Sequence, residues 1–242
     1  KKFDKILMEP LRELSTKAEI GIVSGSDYEY IHHQMEHVLT SSELRYKLHI
    51  LPCNGTKYYK PPQKSDDCHE LVHNNDMKSE LGSKTFQNLM VAIIETQAKL
   101  NLRKIPLTGH FIQYRGSMIN WCPIGRNANE QERSEFVKFD NLKTPSFRRI
   151  VLEELKTKLS VYGVQVEVKL GGDTSFDIYP KNWDKTYCLR HFSNRECWFV
   201  GDRCEEGGND KELYDKLNIK NKAFKTSSPA DTKLIIEEHI IP

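Results

Sequence analysis

Phe199-Val-Gly-Asp-Arg-Cys-Glu-Glu-Gly-Gly-Asn-Asp210 is the stretch whose reading decides the fold. A short apolar run, Cys197–Val200, ends in Gly201-Asp202, and a loop carrying Gly207-Gly-Asn-Asp210 leads into a helix-like segment. Open α/β sheets bind their ligands at the carboxyl ends of the strands. Several carboxylates crowded into one such loop repel one another, and a hard divalent cation with oxygen ligands is their natural partner. The spacing therefore predicts a Mg²⁺-dependent phosphate chemistry on an α/β core.

Working outward, the chain of 242 residues has room for one large domain or two modest ones. With 38% hydrophobic and 29% charged residues it reads as an ordinary globular protein. Thirty-six Lys and Arg against 34 Asp and Glu leave a net charge of +2, which excludes a basic nucleic-acid footprint or a membrane-binding surface. The longest apolar run, Leu89–Ile94, is too short to span a bilayer, and no signal-like segment follows the first residues. Six irregularly spaced cysteines without a Cys-x-x-Cys pair read as reduced thiols of a cytoplasmic protein. Cys68-His69 with His73 is half a zinc site lacking a second pair, and His33 and His37 read as a solvated helix face. Asn54-Gly-Thr56 is read first as a turn.

Ile20–Val23 is a strand candidate ending in Ser24-Gly-Ser-Asp27, with a helix starting at Tyr28. There Ser26 either caps that helix or touches phosphate beside its N-terminus. Leu48–Leu51 is a second strand, and the polar segment from about Tyr58 to Asn75 is hairpin and linker. A composition shift follows. Helical spacing marks Ser83–Leu100 and Ser146–Leu159, Asn129-Glu-Gln-Glu132 resembles a capping box, and strands are expected at His110–Tyr114 and Met118–Cys122. Strict alternation marks Val164–Leu170 and Ser175–Tyr179 as half-buried strands, with Ser175 and Asp177 opposite the apolar side chains. The simplest arrangement is a parallel-sheet α/β core (1–77 and 179–242) interrupted by an α+β domain with an antiparallel sheet (78–178).

Arg115, Arg126 and Arg133 place three guanidiniums within 19 residues, and Arg suits bidentate phosphate recognition. Arg133 in the first turn of a helix faces the positive end of its dipole, which favours an anion nearby. Salt-bridged surface arginines are the alternative. Asp184-Lys185 opens a helix after the insert, where the lysine either neutralises a phosphorylated carboxylate or faces solvent.

These segments resemble the eukaryotic-type phosphomannomutases of the haloacid dehalogenase superfamily. The matching blocks are Gly21–Asp27, Phe111–Met118, Pro123–Arg126 with Gln131–Arg133, Gly171–Asp177, Trp183–His191, and Gly201-Asp202 with Gly207–Asp210. The resemblance implies a Rossmannoid core with an inserted cap domain. It also implies interconversion of mannose 6-phosphate and mannose 1-phosphate through a hexose bisphosphate and an aspartyl-phosphate enzyme, feeding GDP-mannose and protein glycosylation. By the same resemblance Ser26 is a phosphate ligand, Lys185 the catalytic lysine, and Asp202, Asn209 and Asp210 belong to the Mg²⁺ loop. Arg115, Arg126, Arg133, Ser175 and Asp177 are implied to grip the phosphorylated hexose. A hexose 1,6-bisphosphate activator and a homodimer through the caps are implied as well. The family's Asp-x-Asp-Gly-Thr motif, which supplies nucleophile and acid/base, is absent from this sequence. A carboxylate nucleophile has no substitute among the remaining residues. The expectation is of a truncated chain, inactive without its N-terminal segment. A sugar-phosphate phosphatase and a non-catalytic phosphosugar-binding dimer are the rival readings.

Overall fold

Leu48, Ile50 and Leu51 are buried, and the segment Leu48–Leu51 pairs in parallel register with Ile20–Val23, Ile22 lying opposite Ile50. Two short, mostly apolar runs thus become neighbouring strands of an α/β core. The computed structural model describes residues 3–100 and 106–241. It divides into two compact units, one built from Lys1–Asn74 and Asn182–Pro242, the other from Asn75–Lys181. The sequence reading placed these divisions at 78 and 178, each three residues inside the observed bounds.

The first unit begins with α1 (Met8–Lys17), β1 (Ile20–Val23), α2 (Tyr28–Ser41), β2 (Leu48–Leu51), β3 (Lys57–Lys60) and β4 (Glu70–Asn74). These strands form a sheet in the order β1-β2-β3-β4. β1 and β2 are parallel, whereas β3 and β4 return antiparallel. The sheet is mixed rather than parallel throughout because the links 52–56 and 61–69 are too short for a crossover. Alternation along the strands divides the core between two faces. Ile20, Leu48 and Ile50 pack with Leu11 of α1 and with Ile31, Val38 and Leu39 of α2. Leu51 and Tyr58 join Cys188, Phe199 and Leu213 from the far end of the chain.

The second unit contains α3 (Met77–Leu81), α4 (Ser83–Lys99), β5 (Ile112–Tyr114), β6 (Ile119–Trp121), α5 (Glu130–Asp140), α6 (Phe147–Val161), β7 (Val166–Gly171) and β8 (Ser175–Pro180). Its sheet runs β5-β6-β8-β7 and is antiparallel throughout. The pairing aligns Ile112, Trp121, Phe176 and Leu170 in one cross-strand row. Trp121 and Phe176 are fully buried and stack with ring centroids 4.7 Å apart. The next row, Gln113, Asn120, Asp177 and Lys169, lies on the opposite face, as the two-residue period requires. α5 starts with a full capping box between Asn129 and Glu132.

The chain re-enters the first unit through a 3-10 helix, Lys185–Phe192, followed by β9 (Phe199–Gly201), α7 (Lys211–Asn218), β10 (Ala223–Lys225) and α8 (Pro229–Ile235). β9 and β10 form a parallel pair. The tight 3-10 segment replaces the expected ordinary helix, with Asp184 capping it by accepting from Thr186 N–H at 2.8 Å.

Candidate functional site

Each unit gathers one set of polar residues. In the first unit they lie on loops leaving the carboxyl ends of β1, β2 and β9. After β1, Asp27 is the N-cap of α2, accepting from Tyr30 N–H at 3.1 Å. Ser26 is therefore not the cap. Either side chain suits that role chemically, and the path of the chain awards it to Asp27. The Ser24–Ser26 loop is laced to the loop after β2, where Cys53 N–H donates to Ser26 O (2.9 Å) and Asn54 N–H to Ser24 O (2.8 Å). Asn54 in turn donates from Nδ2 to Trp183 O at 3.0 Å, which holds the start of the lysine-bearing 3-10 helix against the same loops. Gly55 has φ +87°, and a Cβ there would meet Cys188 Cα at 2.7 Å, so only glycine lets these segments approach.

Lys185 is buried rather than solvent-facing, and its ammonium pairs with Asp210, which is only 2% exposed. The other Asp210 oxygen accepts from Arg203 N–H at 3.0 Å. A Cβ on Gly201 would crowd that carboxylate at 2.9 Å, so the strand end is shaped around it. Asp202, one residue on, is exposed, and Asn209 is half-buried. The structure brings Lys185 and Asp210 into contact and leaves Asp202 at the rim.

The donor set for a magnesium ion is short. Asp210 already spends both oxygens on Lys185 and Arg203. Among the described residues no three His, Cys, Asp or Glu side chains gather where an ion fits. Mg²⁺ usually keeps several waters and one or two carboxylates in an octahedral shell. Asp202 supplies one such oxygen donor, and the described residues do not complete a site by themselves. Cysteine gives no alternative nucleophile here, because burial pushes the Cys188 thiol up to about 12 and the Cys204 thiol up to about 11.

In the second unit the polar face of the sheet collects the other candidates. Asn120 donates from Nδ2 to Asp177 Oδ1 at 2.8 Å and to Ser175 Oγ at 3.0 Å, and its Oδ1 accepts from Arg126 Nη1 at 2.5 Å. Arg133 is held by three acceptors: Ala128 O (3.1 Å), Thr174 Oγ1 (3.1 Å) and Arg126 O (3.3 Å). These bonds clamp it beside Arg126. Arg115, at the end of β5, approaches Gln113 Oε1 at 3.4 Å, and Gln113 faces Asn120 across the strands. Ser175 Oγ also donates to Gly171 O at 2.6 Å. A Cβ on Gly171 would come within 2.8 Å of the Asp177 carboxyl group. Arg126, Arg133, Ser175 and Asp177 therefore form one connected cluster, and Arg115 lies at the end of the neighbouring strand β5. Sequence reasoning missed Asn120, Thr174 and Gly171. Strict alternation of Asn120 with its apolar neighbours Ile119 and Trp121 was the available signal.

A third feature lies in the first unit. A cavity of about 600 Å³ is lined by His49, Tyr58, His73, His191, Glu19 and Arg195, among others. His49 Nδ1 bonds Tyr58 OH at 2.7 Å, and its Nε2 lies 3.2 Å from Glu19. His191 Nε2 donates to Gly55 O at 2.7 Å, and His73 Nε2 meets Tyr187 OH at 3.1 Å. Burial holds all three imidazoles below the usual histidine range.

Comparison with known proteins places this arrangement in context. Residues 7–241 match the family described as "Eukaryotic phosphomannomutase". Phosphomannomutase 1 of Dictyostelium discoideum is 36% identical over 233 residues, covering 94% of this chain and 86% of that protein. A phosphomannomutase of Drosophila melanogaster is 32% identical over 228 residues, covering 92% and 82%. Among solved structures, N-terminally truncated Plasmodium falciparum IMP-nucleotidase superposes with a TM-score of 0.62 at 14% identity. That match covers 98% of this chain, which spans 66% of the length of the solved one. The C-terminal domain of Candida albicans trehalose-6-phosphate phosphatase gives 0.53 at 14% identity, over 95% of this chain and 72% of that domain. At such identities the structural likeness speaks to fold alone: an α/β core with an inserted α+β unit.

Proposed function

Because the chain belongs to the eukaryotic phosphomannomutase family, we propose that it interconverts mannose 6-phosphate and mannose 1-phosphate through a hexose bisphosphate and an aspartyl-phosphate enzyme, in supply of GDP-mannose. The observation that carries the reading is the Arg126, Arg133, Asn120, Ser175 and Asp177 cluster. A mutase must hold a phosphate that is not being transferred, in either orientation of the sugar. Guanidiniums fixed by backbone carbonyls and a neighbouring threonine are preorganised for that anion, which limits the entropy lost on binding. Ser175 and Asp177 supply the hydroxyl-recognising groups beside them.

On the first unit, Lys185 is assigned to the phosphate undergoing transfer, neutralising charge on the aspartyl phosphate, with Asp210 fixing its ammonium. Ser26, on the loop after β1, is assigned to the same phosphate. Magnesium belongs to the proposal, with Asp202 as the donor this chain offers and Asn209 and Asp210 in the loop beside it. The role of the ion is to neutralise phosphoryl charge. A cytoplasmic homodimer joined through the inserted unit completes the reading. Among the described residues no helix is long and apolar enough to cross a membrane.

The test is ³¹P NMR of mannose 1-phosphate incubated with the full-length gene product, Mg²⁺ and a hexose bisphosphate. Appearance of the 6-phosphate without inorganic phosphate is expected. Release of inorganic phosphate alone overturns the proposal in favour of a phosphatase, and an unchanged spectrum overturns it in favour of a binding protein.

A further inference from the structure

Asn120 sits mid-strand in β6 on the polar face of the sheet and is nevertheless only 3% exposed. Besides a long bond from Nδ2 to Phe176 O at 3.5 Å, its amide meets groups assigned to ligand binding. Oδ1 accepts from the Arg126 guanidinium at 2.5 Å, while Nδ2 donates to Asp177 Oδ1 at 2.8 Å and Ser175 Oγ at 3.0 Å. The orientation of the amide is fixed by its neighbours. A guanidinium only donates and a carboxylate only accepts, so the flipped amide would set NH₂ against NH₂ and oxygen against oxygen. Among side chains of this size, Asn alone offers one strong acceptor and two donors in one plane.

We infer that Asn120 is a positioning residue for the sugar-phosphate site, acting through Arg126 and the Ser175–Asp177 pair and not by touching ligand. This rests on the functional reading above. The physical argument is that Arg126 and Asp177 have opposite charge and lie on the same side of one sheet. The amide binds one edge of the guanidinium and one carboxylate oxygen at once, so it fixes the orientation of each relative to the other. Three strands share the arrangement, because Asn120 lies opposite Gln113 on β5 and Asp177 on β8. Gly171 takes part as well, since its missing Cβ leaves the Asp177 carboxylate room to reach the amide.

The test measures binding of mannose 1-phosphate by calorimetry to the full-length protein and to Asn120→Leu, Arg126→Ala and the double variant. Asn120→Leu is expected to weaken binding by about ten- to a hundredfold, the range for losing a hydrogen bond to a charged group. If the residue acts in part through Arg126, the double variant loses less affinity than the two single losses combined. Additive losses overturn the inference. Asn120→Asp adds a readout that a packing role would not move. The new carboxylate must hold a proton to donate to Asp177; burial and the like charge of Asp177 raise the pH at which it does so, against the opposing pull of the Arg126 guanidinium. The affinity of Asn120→Asp relative to wild type is therefore expected to recover as pH falls from 8 towards 5, and a constant ratio overturns the inference. If Arg126→Ala itself binds normally, the site assignment fails. If Arg126→Ala fails to bind while Asn120→Leu binds normally, only the positioning role fails.

Discussion

Lys185→Met is the most informative single perturbation. The substitution removes an ammonium that is 9% exposed at its side chain and strands the Asp210 carboxylate, 3% exposed, with one remaining donor, Arg203 N–H at 3.0 Å. Water cannot reach that carboxylate without opening the loop. Breaking a buried pair by deleting one partner costs about 3–5 kcal/mol. For a chain of this length each kcal/mol lowers Tm by about 2–4 °C, so the expected loss is roughly 6–20 °C. Asp210→Asn strands the lysine instead and belongs in the same range. The double variant Lys185→Met/Asp210→Asn should be far closer to wild type. Its amide oxygen still accepts from Arg203 N–H, and neither buried charge remains. The assay is urea unfolding followed by circular dichroism, with the slope m checked for constancy across the four proteins. A coupling of at least about 2 kcal/mol is expected between the two positions. A single-variant loss below about 1 kcal/mol, or a double variant showing the sum of both losses, would refute the reasoning.

Arg126→Ala and Arg133→Ala should each lower kcat/KM for mannose 1-phosphate by about 1.5–3 kcal/mol of transition-state binding, read from steady-state kinetics, with an unchanged value removing that residue from the site. Gly171→Ala should displace the Asp177 carboxylate, since the new Cβ falls 2.8 Å from it; a raised KM at nearly unchanged Tm is expected, and an unaltered KM counts against Asp177 as a ligand-gripping group. Four depressed histidines, the three of the cavity and His69, give stability a defined pH dependence. Their folded pKa values lie below the unfolded value, so the unfolded chain binds more protons in between, and stability present above about pH 6.5 is lost as pH falls through the folded values. Beside His49, Glu19 opposes the depression while Arg195 adds to it, Arg190 adds to it at His73 and His191, and Glu19 itself titrates below this window. Melting scans at pH 7.5 and 5.5 should show the lower Tm at the lower pH, and equal values would refute the assignment.

Much of this architecture is legible because hydrophobic patterning reports burial directly. Ile20–Val23 and Leu48–Leu51 form strands with the expected bounds, and the alternation at Ser175–Tyr179 puts Ser175 and Asp177 on the polar face. The Asn129–Glu132 capping box is equally local. What patterning does not carry is partnership across the chain. Lys185 and Asp210 are 25 residues apart, and nothing in either neighbourhood announces that the lysine is buried against that acid. Asp27 and Ser26 have equal capping chemistry, and only the entry angle of the helix chooses between them. Asn120 is hidden for a different reason. Alternation puts it on the polar face, but what it holds is set by β8 and by the loop reaching Arg126, which its own strand does not announce.

The inserted unit is one uninterrupted stretch, whereas the first unit is assembled from both flanks. During synthesis the order of completion is thereby set. Leu51 and Tyr58 leave the ribosome long before Cys188, Phe199 and Leu213, the side chains that cover them. At roughly 5–20 residues per second the wait is on the order of ten seconds, ample time for the insert to fold. The nascent half-sheet must stay soluble meanwhile with one apolar face bare. Substitutions that slow translation or loosen the insert would prolong that exposure, and their harm would fall on yield in the cell more than on the finished enzyme.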